Sequence, residues 1–261
     1  MSHPTCVGTI GPMSGLSYLP VQFQRAYQDL LFYTKAKLCT EGQVLAECPE
    51  PHSFPNTSRD HMCRYADGDW LVMLDCDMVH KRDTVEVLVN EQKRIERETG
   101  EECGVLTGVY TKRDVPPSEV LVHDFNPEHM LWESWGPERF PGIAEGDFSQ
   151  YGKCDAAGAG ALLIMRPVIE RIVTEMHVGP FSVWGPLKRD SIREPLGAGT
   201  DDLAFFRRLQ VLDPPVQAWY TPRVTPQHLS TVGFTMHDWL RTKQRQVRVS
   251  MQGEDGATSV Q

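Results

Sequence analysis

Trp70-Leu71-Val72-Met73-Leu74-Asp75-Cys76-Asp77 is the stretch that decides the fold. Its uninterrupted apolar run, entered from Gly68-Asp69, reads as a strand buried on both faces, the kind that parallel sheets contain. Two acids stand at its end. In an open α/β sheet the ligand crevice lies outside the carboxyl ends of the strands, so Asp75 and Asp77 are expected in that crevice. Downstream, Asp83 to Glu98 spaces Val85, Leu88, Val89, Gln92 and Ile95 along one helical face and stops at Gly100. Val105 to Tyr110 is the next strand. Strand, helix and strand in this order predict a right-handed parallel α/β unit.

Upstream, Thr5 to Ile10 reads as a short strand running into a Gly11–Gly15 loop. A helix is expected from about Leu19, with Pro20 in its first turn and Phe23, Ala26, Tyr27, Leu30, Leu31 and Thr34 on its buried face. Residues 40–57 read as a proline-containing loop, and Ser58 to Ala66 as a short helix. The second half is less regular. Short strands are expected at Val120–Val122 and Met130–Glu133, and a mobile loop over Pro137–Lys153. A strand at Ala161–Met165 and a helix from Pro167 to about Met176 follow. Residues 178–199 read as a long loop. Thr200 is placed to cap a helix from Asp201 to Leu212, and Gln217–Tyr220 is a last strand. The whole predicts an α/β fold with a mostly parallel central sheet flanked by helices. One domain is expected over residues 1–249, with a nucleotide-binding half to about 115 and an acceptor half over 116–249. The polar tail at 250–261 is expected to be disordered.

Composition narrows the function class. The chain has 261 residues, a net charge of -9 and a pI near 5.5. That balance argues against broad binding of nucleic acid or anionic membranes. Seven cysteines are scattered without a C-x-x-C pair, which speaks against a zinc site or a disulfide framework. Reduced thiols point to a cytoplasmic setting. Neither a signal peptide nor an apolar run of membrane-spanning length is visible.

Four features carry candidate chemistry. Asp75 and Asp77 offer hard oxygen ligands for Mg²⁺ or Mn²⁺; the plainer alternative is a pair of solvated acids opening a turn, and the buried strand before them favours the site. His228, in Val224-Thr225-Pro226-Gln227-His228, could complete such a site, although a lone histidine is more often an ordinary surface or core residue. Asp201-Asp202 opens an apolar helix, where acids favour the dipole and where one could also act as a general base. The small residues Asp155 to Ala161 form either a tight turn or a place where an acceptor approaches the backbone. They match no phosphate-binding glycine pattern.

In their order along the chain, these features resemble the GT-A fold glycosyltransferases, in particular the family-2-like group with its D-x-D motif. The resemblance runs from about Cys6 to Trp239. Arg64 to Met78 resembles the family's arginine-bearing helix and D-x-D strand. Asp201-Asp202, followed by Arg207-Arg208, resembles an acid pair opening a helix that ends in two arginines. Asp201 replaces the usual Glu, and Asp60 stands where Asn is common.

The resemblance implies a metal-dependent glycosyltransferase, a hexosyltransferase in type, acting on a UDP- or GDP-linked sugar. Ile10, Gly11 and Pro12 would lie against the nucleoside, with Asp75 near the ribose and Cys76 among the nucleotide-binding residues. Arg59 would reach the nucleotide or diphosphate, or else pair with an acid such as Asp75. Asp77 and His228, with Asp75, would hold Mn²⁺ or Mg²⁺. Asp202, beside Asp201, would be the base of an inverting transfer. A retaining transferase, a sugar-phosphate nucleotidyltransferase and a non-catalytic nucleotide-sugar-binding protein are the alternatives. The acceptor is left open among a saccharide, a lipid-linked sugar, a protein, a small metabolite and a modified nucleobase.

Overall fold

In a computed structural model of the chain, Trp70–Asp75 forms a strand whose residues are buried on both sides, as its apolar run requires. The structure describes residues 5–14, 20–48, 50–51, 55–111, 119–126, 128–129, 131–144, 146–176, 178–183 and 200–229. Within them the elements run β1 (Thr5–Ser14), α1 (Val21–Leu38), β2 (Gln43–Glu47), β3 (Glu50–Pro51), α2 (Pro55–Tyr65), β4 (Trp70–Asp75), β5 (Met78–Val79), α3 (Thr84–Thr99) and β6 (Val105–Gly108). There follow β7 (Val122–Asn126), β8 (Leu131–Ser134), a 3-10 turn (Pro137–Arg139), α4 (Pro141–Ala144), β9 (Gly152–Cys154), β10 (Ala156–Ala157) and β11 (Ala161–Met165). The last are α5 (Arg166–Met176), α6 (Asp201–Val211), β12 (Ala218–Thr221) and β13 (Gln227–His228).

The main sheet has eight strands in the order β2-β1-β4-β11-β6-β12-β9, with β3 also on β1. β11 runs antiparallel to both β4 and β6, and β9 antiparallel to β12; the other strands share one direction. The sheet is therefore mostly parallel, as expected, with β11 inserted between the two strands of the predicted parallel unit. Alternate residues of β4 feed two cores. Leu71 and Met73 join Met62, Ile169, Ile172, Phe205 and Leu209 from α2, α5 and α6. Val72 and Leu74 join Leu30, Val85, Leu88 and Ile95 from α1 and α3. Helix α3 ends as predicted, on Gly100 with φ 71°, a left-handed turn that glycine adopts without a Cβ clash.

Four expectations are corrected. Gly11–Ser14 is strand, not loop: Gly11, Pro12 and Met13 pair with Met73, Leu74 and Asp75. Pro12 falls between Ile10, the last residue paired to β2, and Met13, the first paired to β3. A missing N–H is tolerated in such a gap. Within residues 40–57, Gln43–Glu47 is an edge strand; half-exposed on both faces, it has no clean period for a sequence to display. The stretch Pro137–Lys153 carries the 3-10 turn, α4 and the start of β9, anchored by buried Phe140 and Ile143. Two anchors in so short a span set no detectable periodicity. Pro20 is the N-cap of α1 and precedes its first turn.

The expected helix start at Leu19, most of the 178–199 loop and the 250–261 tail lie outside the described residues. Among the described residues no helix is long and apolar enough to cross a membrane.

Candidate active site

Asp75 is the last residue of β4, opposite Met13 of β1, and its amide donates to the Gly160 carbonyl at 3.0 Å. Beyond it the chain turns into β5, which pairs antiparallel with β13 so that Met78 stands opposite His228. The Leu229 amide donates to the Asp77 carbonyl at 2.6 Å. Strand pairing thus carries His228 to the backbone beside Asp77, across most of the second half of the chain. The His228 ring meets the Tyr110 ring edge-on, 5.5 Å between centroids.

A second group arrives from α2 and α6. Arg59, on α2, is buried and reaches two acids with its two terminal nitrogens: Asp75 Oδ1 at 3.0 Å and Asp201 Oδ2 at 2.6 Å. Burial disfavours the guanidinium charge, but Asp75, Asp201 and Asp202 together outweigh it and hold Arg59 above its usual range. For Asp201 burial wins over the attraction of Arg59, and its carboxyl lies above the ordinary carboxylate range. Asp202, next to it, occupies the first turn of α6, where the helix dipole favours an anion. Thr200 is the N-cap: its Oγ1 accepts from the Leu203 amide and its hydroxyl donates to Asp202 Oδ1. The Leu203 amide also donates to Asp202 Oδ1, at 3.1 Å.

Sequence reasoning passed over two further residues. Tyr110, just after β6, is buried, and its hydroxyl oxygen accepts the Gly160 amide at 2.6 Å. Burial, with Asp75 and Asp202 nearby, pushes its phenol well above the usual range, so it stays neutral. His80 is buried with Nε2 3.2 Å from the Asp75 carbonyl. A carbonyl only accepts, so Nε2 bears the proton, and Nδ1 is left buried without a hydrogen-bond partner. Burial lowers the His80 pKa to about 4. The signal for Tyr110 was the run of small residues: a Cβ on Gly158 would lie 2.1 Å from the Tyr110 hydroxyl oxygen. Gly158 and Gly160 therefore make room for Tyr110.

The remaining expected residues fall as follows. Ile10 is in the core, its carbonyl accepting the Cys48 amide, and Gly11 faces Met62; both, with Pro12, are buried in the strand. Cys76 is buried. Asp60 has a structural role: its Oδ1 accepts the Phe181 amide at 2.7 Å. Arg208, fully buried, donates to the Pro180 and Ser182 carbonyls beside that turn. Among the described residues, no three or more His, Cys, Asp or Glu side chains form a group that could hold a metal ion.

Residues 48–136 match the profile of glycosyl transferase family 2, a span that holds Arg59, Asp75, Asp77 and Tyr110 and supports a glycosyltransferase of this kind. No curated protein matches the chain. Solved structures similar to it include A197 from STIV, at 15% identity and TM-score 0.48 over 84% of each chain. Another is CMP:2-keto-3-deoxy-manno-octonic acid synthetase complexed with CTP, at 14% identity and TM-score 0.35 over 65% of this chain and 78% of the other.

Proposed function

We propose that the chain is a metal-dependent glycosyltransferase that moves a sugar from a UDP- or GDP-linked donor to an acceptor hydroxyl, with inversion and with Asp202 as base. One observation carries the reading: at the carboxyl end of the sheet, Arg59 ties the acid that ends β4 to the acid pair that opens α6. Donor-side and acceptor-side acids then share one crevice, which is what a transfer between two substrates needs.

Asp77 and His228 are the two residues that would hold the cation, and Asp75, whose Oδ1 is taken by Arg59, would serve the ribose. Their oxygens and single imidazole suit Mn²⁺ or Mg²⁺. Such ions take one or two protein carboxylates and complete their shell with water and phosphate, so a cation shared with a diphosphate needs no larger protein cluster. When bound, it would neutralise charge growing on the leaving diphosphate. The chain's own residues do the rest. Thr200 and the Leu203 amide both engage Asp202 Oδ1 and orient the carboxylate, leaving Oδ2 to take the acceptor's proton. The acceptor oxygen bonds to the anomeric carbon as that carbon's bond to the diphosphate oxygen breaks on the opposite face. Asp201, paired to Arg59, is the less available of the two acids.

The test is a panel of UDP- and GDP-sugars incubated with Mn²⁺ while free nucleotide is measured. Release from at least one donor, lost in Asp202→Asn or Asp77→Ala, is expected. No release from any donor, together with no Mn²⁺-dependent nucleotide binding, would overturn the reading.

A further inference from the structure

We infer that Arg59 is a positioning residue that couples the two sides of the site, so that events at the strand-end acids are felt at the helix start that carries Asp202. The coupling of nucleotide to helix rests on the proposed function; the bridge itself does not.

One guanidinium, its side chain 5% exposed, forks between Asp75, 16 residues away, and Asp201, 142 residues away. Both carboxylates are largely buried themselves, at 17% and 16% exposure. A single cation between two buried anions is shared: drawing one anion away strengthens the hold of the other, and removing the cation leaves two like charges facing each other. The Nε–H of Arg59 is buried without a partner, so the side chain is held by its two acids and not by a full set of hydrogen bonds.

A second contact route runs in parallel. The guanidinium lies over the Phe181 ring at 5.6 Å, and Phe181 stacks on Phe205 of α6 at 4.5 Å with 7° between the planes. Asp60, the residue after Arg59, fixes the Phe181 amide. Helix α2 thus grips α6 through an ion pair and through an aromatic wedge. Asp75 and Asp201 serve as counter-ions to Arg59, and the pairing sets where α6 begins relative to β4. Lysine cannot reproduce this, because a point charge does not fork to two carboxylates.

Amide hydrogen exchange reads the bridge directly. The reporters are Leu203 and Ala204, whose amides close the first turn of α6 on Thr200, and Asp75, whose amide closes on Gly160. The proteins are wild type, Arg59→Lys and Asp201→Asn, each checked for intact circular dichroism, without ligand and with Mn²⁺ plus UDP or GDP. Without ligand, Arg59→Lys should speed exchange at Leu203 and Ala204 by about tenfold or more, as loss of a buried ion pair frees a helix end. Asp201→Asn should do the same to a smaller degree, and it decides the matter if Arg59→Lys does not fold. With Mn²⁺ and nucleotide, wild type should gain protection at both Asp75 and the helix start, and Arg59→Lys at Asp75 alone. Ligand-free exchange within about twofold of wild type in the variants would overturn the bridge. Protection of the helix start that survives in Arg59→Lys would overturn the coupling. If calorimetry finds that wild type binds neither nucleotide, the proposed function falls, and the ligand-free comparison still decides the bridge.

Discussion

The Gly160 amide donates to the Tyr110 hydroxyl oxygen at 2.6 Å, and a Cβ on Gly160 would stand 2.8 Å from Tyr110 Cζ and 2.5 Å from Met78 Cε. The methionine can move aside, but the ring is packed against His228. Gly160→Ala should therefore cost about 1–3 kcal/mol by overpacking. Tyr110→Phe strands the buried amide and should cost about 1–3 kcal/mol. Urea denaturation measures both; a loss below about 0.5 kcal/mol in each would show that this contact does not support the crevice floor.

His80 makes stability depend on pH in a predictable sense. Its pKa falls from 6.5 to about 4 because burial opposes the charged ring. The unfolded chain therefore takes up a proton near 6.5 that the folded protein refuses until about 4, and stability is lost as pH falls through that window. The full gap corresponds to about 3 kcal/mol, of which about 2 kcal/mol is lost by pH 5. His80→Gln keeps an N–H for the Asp75 carbonyl and does not titrate. In metal-free buffer its stability should fall less than that of wild type between pH 7.5 and 5, by about 2 kcal/mol. Parallel curves for the two proteins would rule out His80 as the source.

Asp77→Ala should abolish Mn²⁺-dependent nucleotide binding and sugar transfer while the protein stays folded. The Asp77 carbonyl and the β5 pairing hold β13 to this turn, and both are backbone contacts that the substitution retains. Calorimetry with Mn²⁺ and UDP or GDP, alongside thermal unfolding, separates the two effects. Undiminished metal-dependent binding in the variant would remove Asp77 from the cation site.

Glu91 supports the sheet away from the crevice. Its buried carboxylate pairs with Arg94 at 2.7 Å and Arg223 at 2.8 Å, joining α3 to the chain just after β12. Loss of a buried pair is costly, but Arg223 is half-exposed and water takes over part of its role, so Glu91→Ala should cost about 2 kcal/mol. Chemical denaturation should show that loss with nucleotide binding unchanged. A stability change below about 0.5 kcal/mol would mean that solvent replaces the carboxylate in full.

Several parts of the molecule were legible because their causes are local. The apolar run of β4 must be buried on both faces, the spacing of Val85 to Ile95 makes a helix, Gly100 ends it, and Thr200 caps the next. These depend on residues a few positions apart, and burial or hydrogen bonding acts on them at once. The strand at Gln43–Glu47 was less legible, because an exposed edge asks little of its side chains.

By itself, then, the sequence determined the α/β alternation and delivered Asp75 and Asp77 to a strand end, since burial of an apolar run leaves the acids that follow it at the carboxyl end of the sheet. Only the tertiary structure decided that Arg59 answers both Asp75 and Asp201, that His228 lies beside the Asp77 backbone, and that Tyr110 fills the space left by Gly158 and Gly160. The reason is physical. An ion pair across 142 residues, a pairing of two-residue strands and a ring seated on glycines arise from packing between elements, and no periodicity along the chain records them.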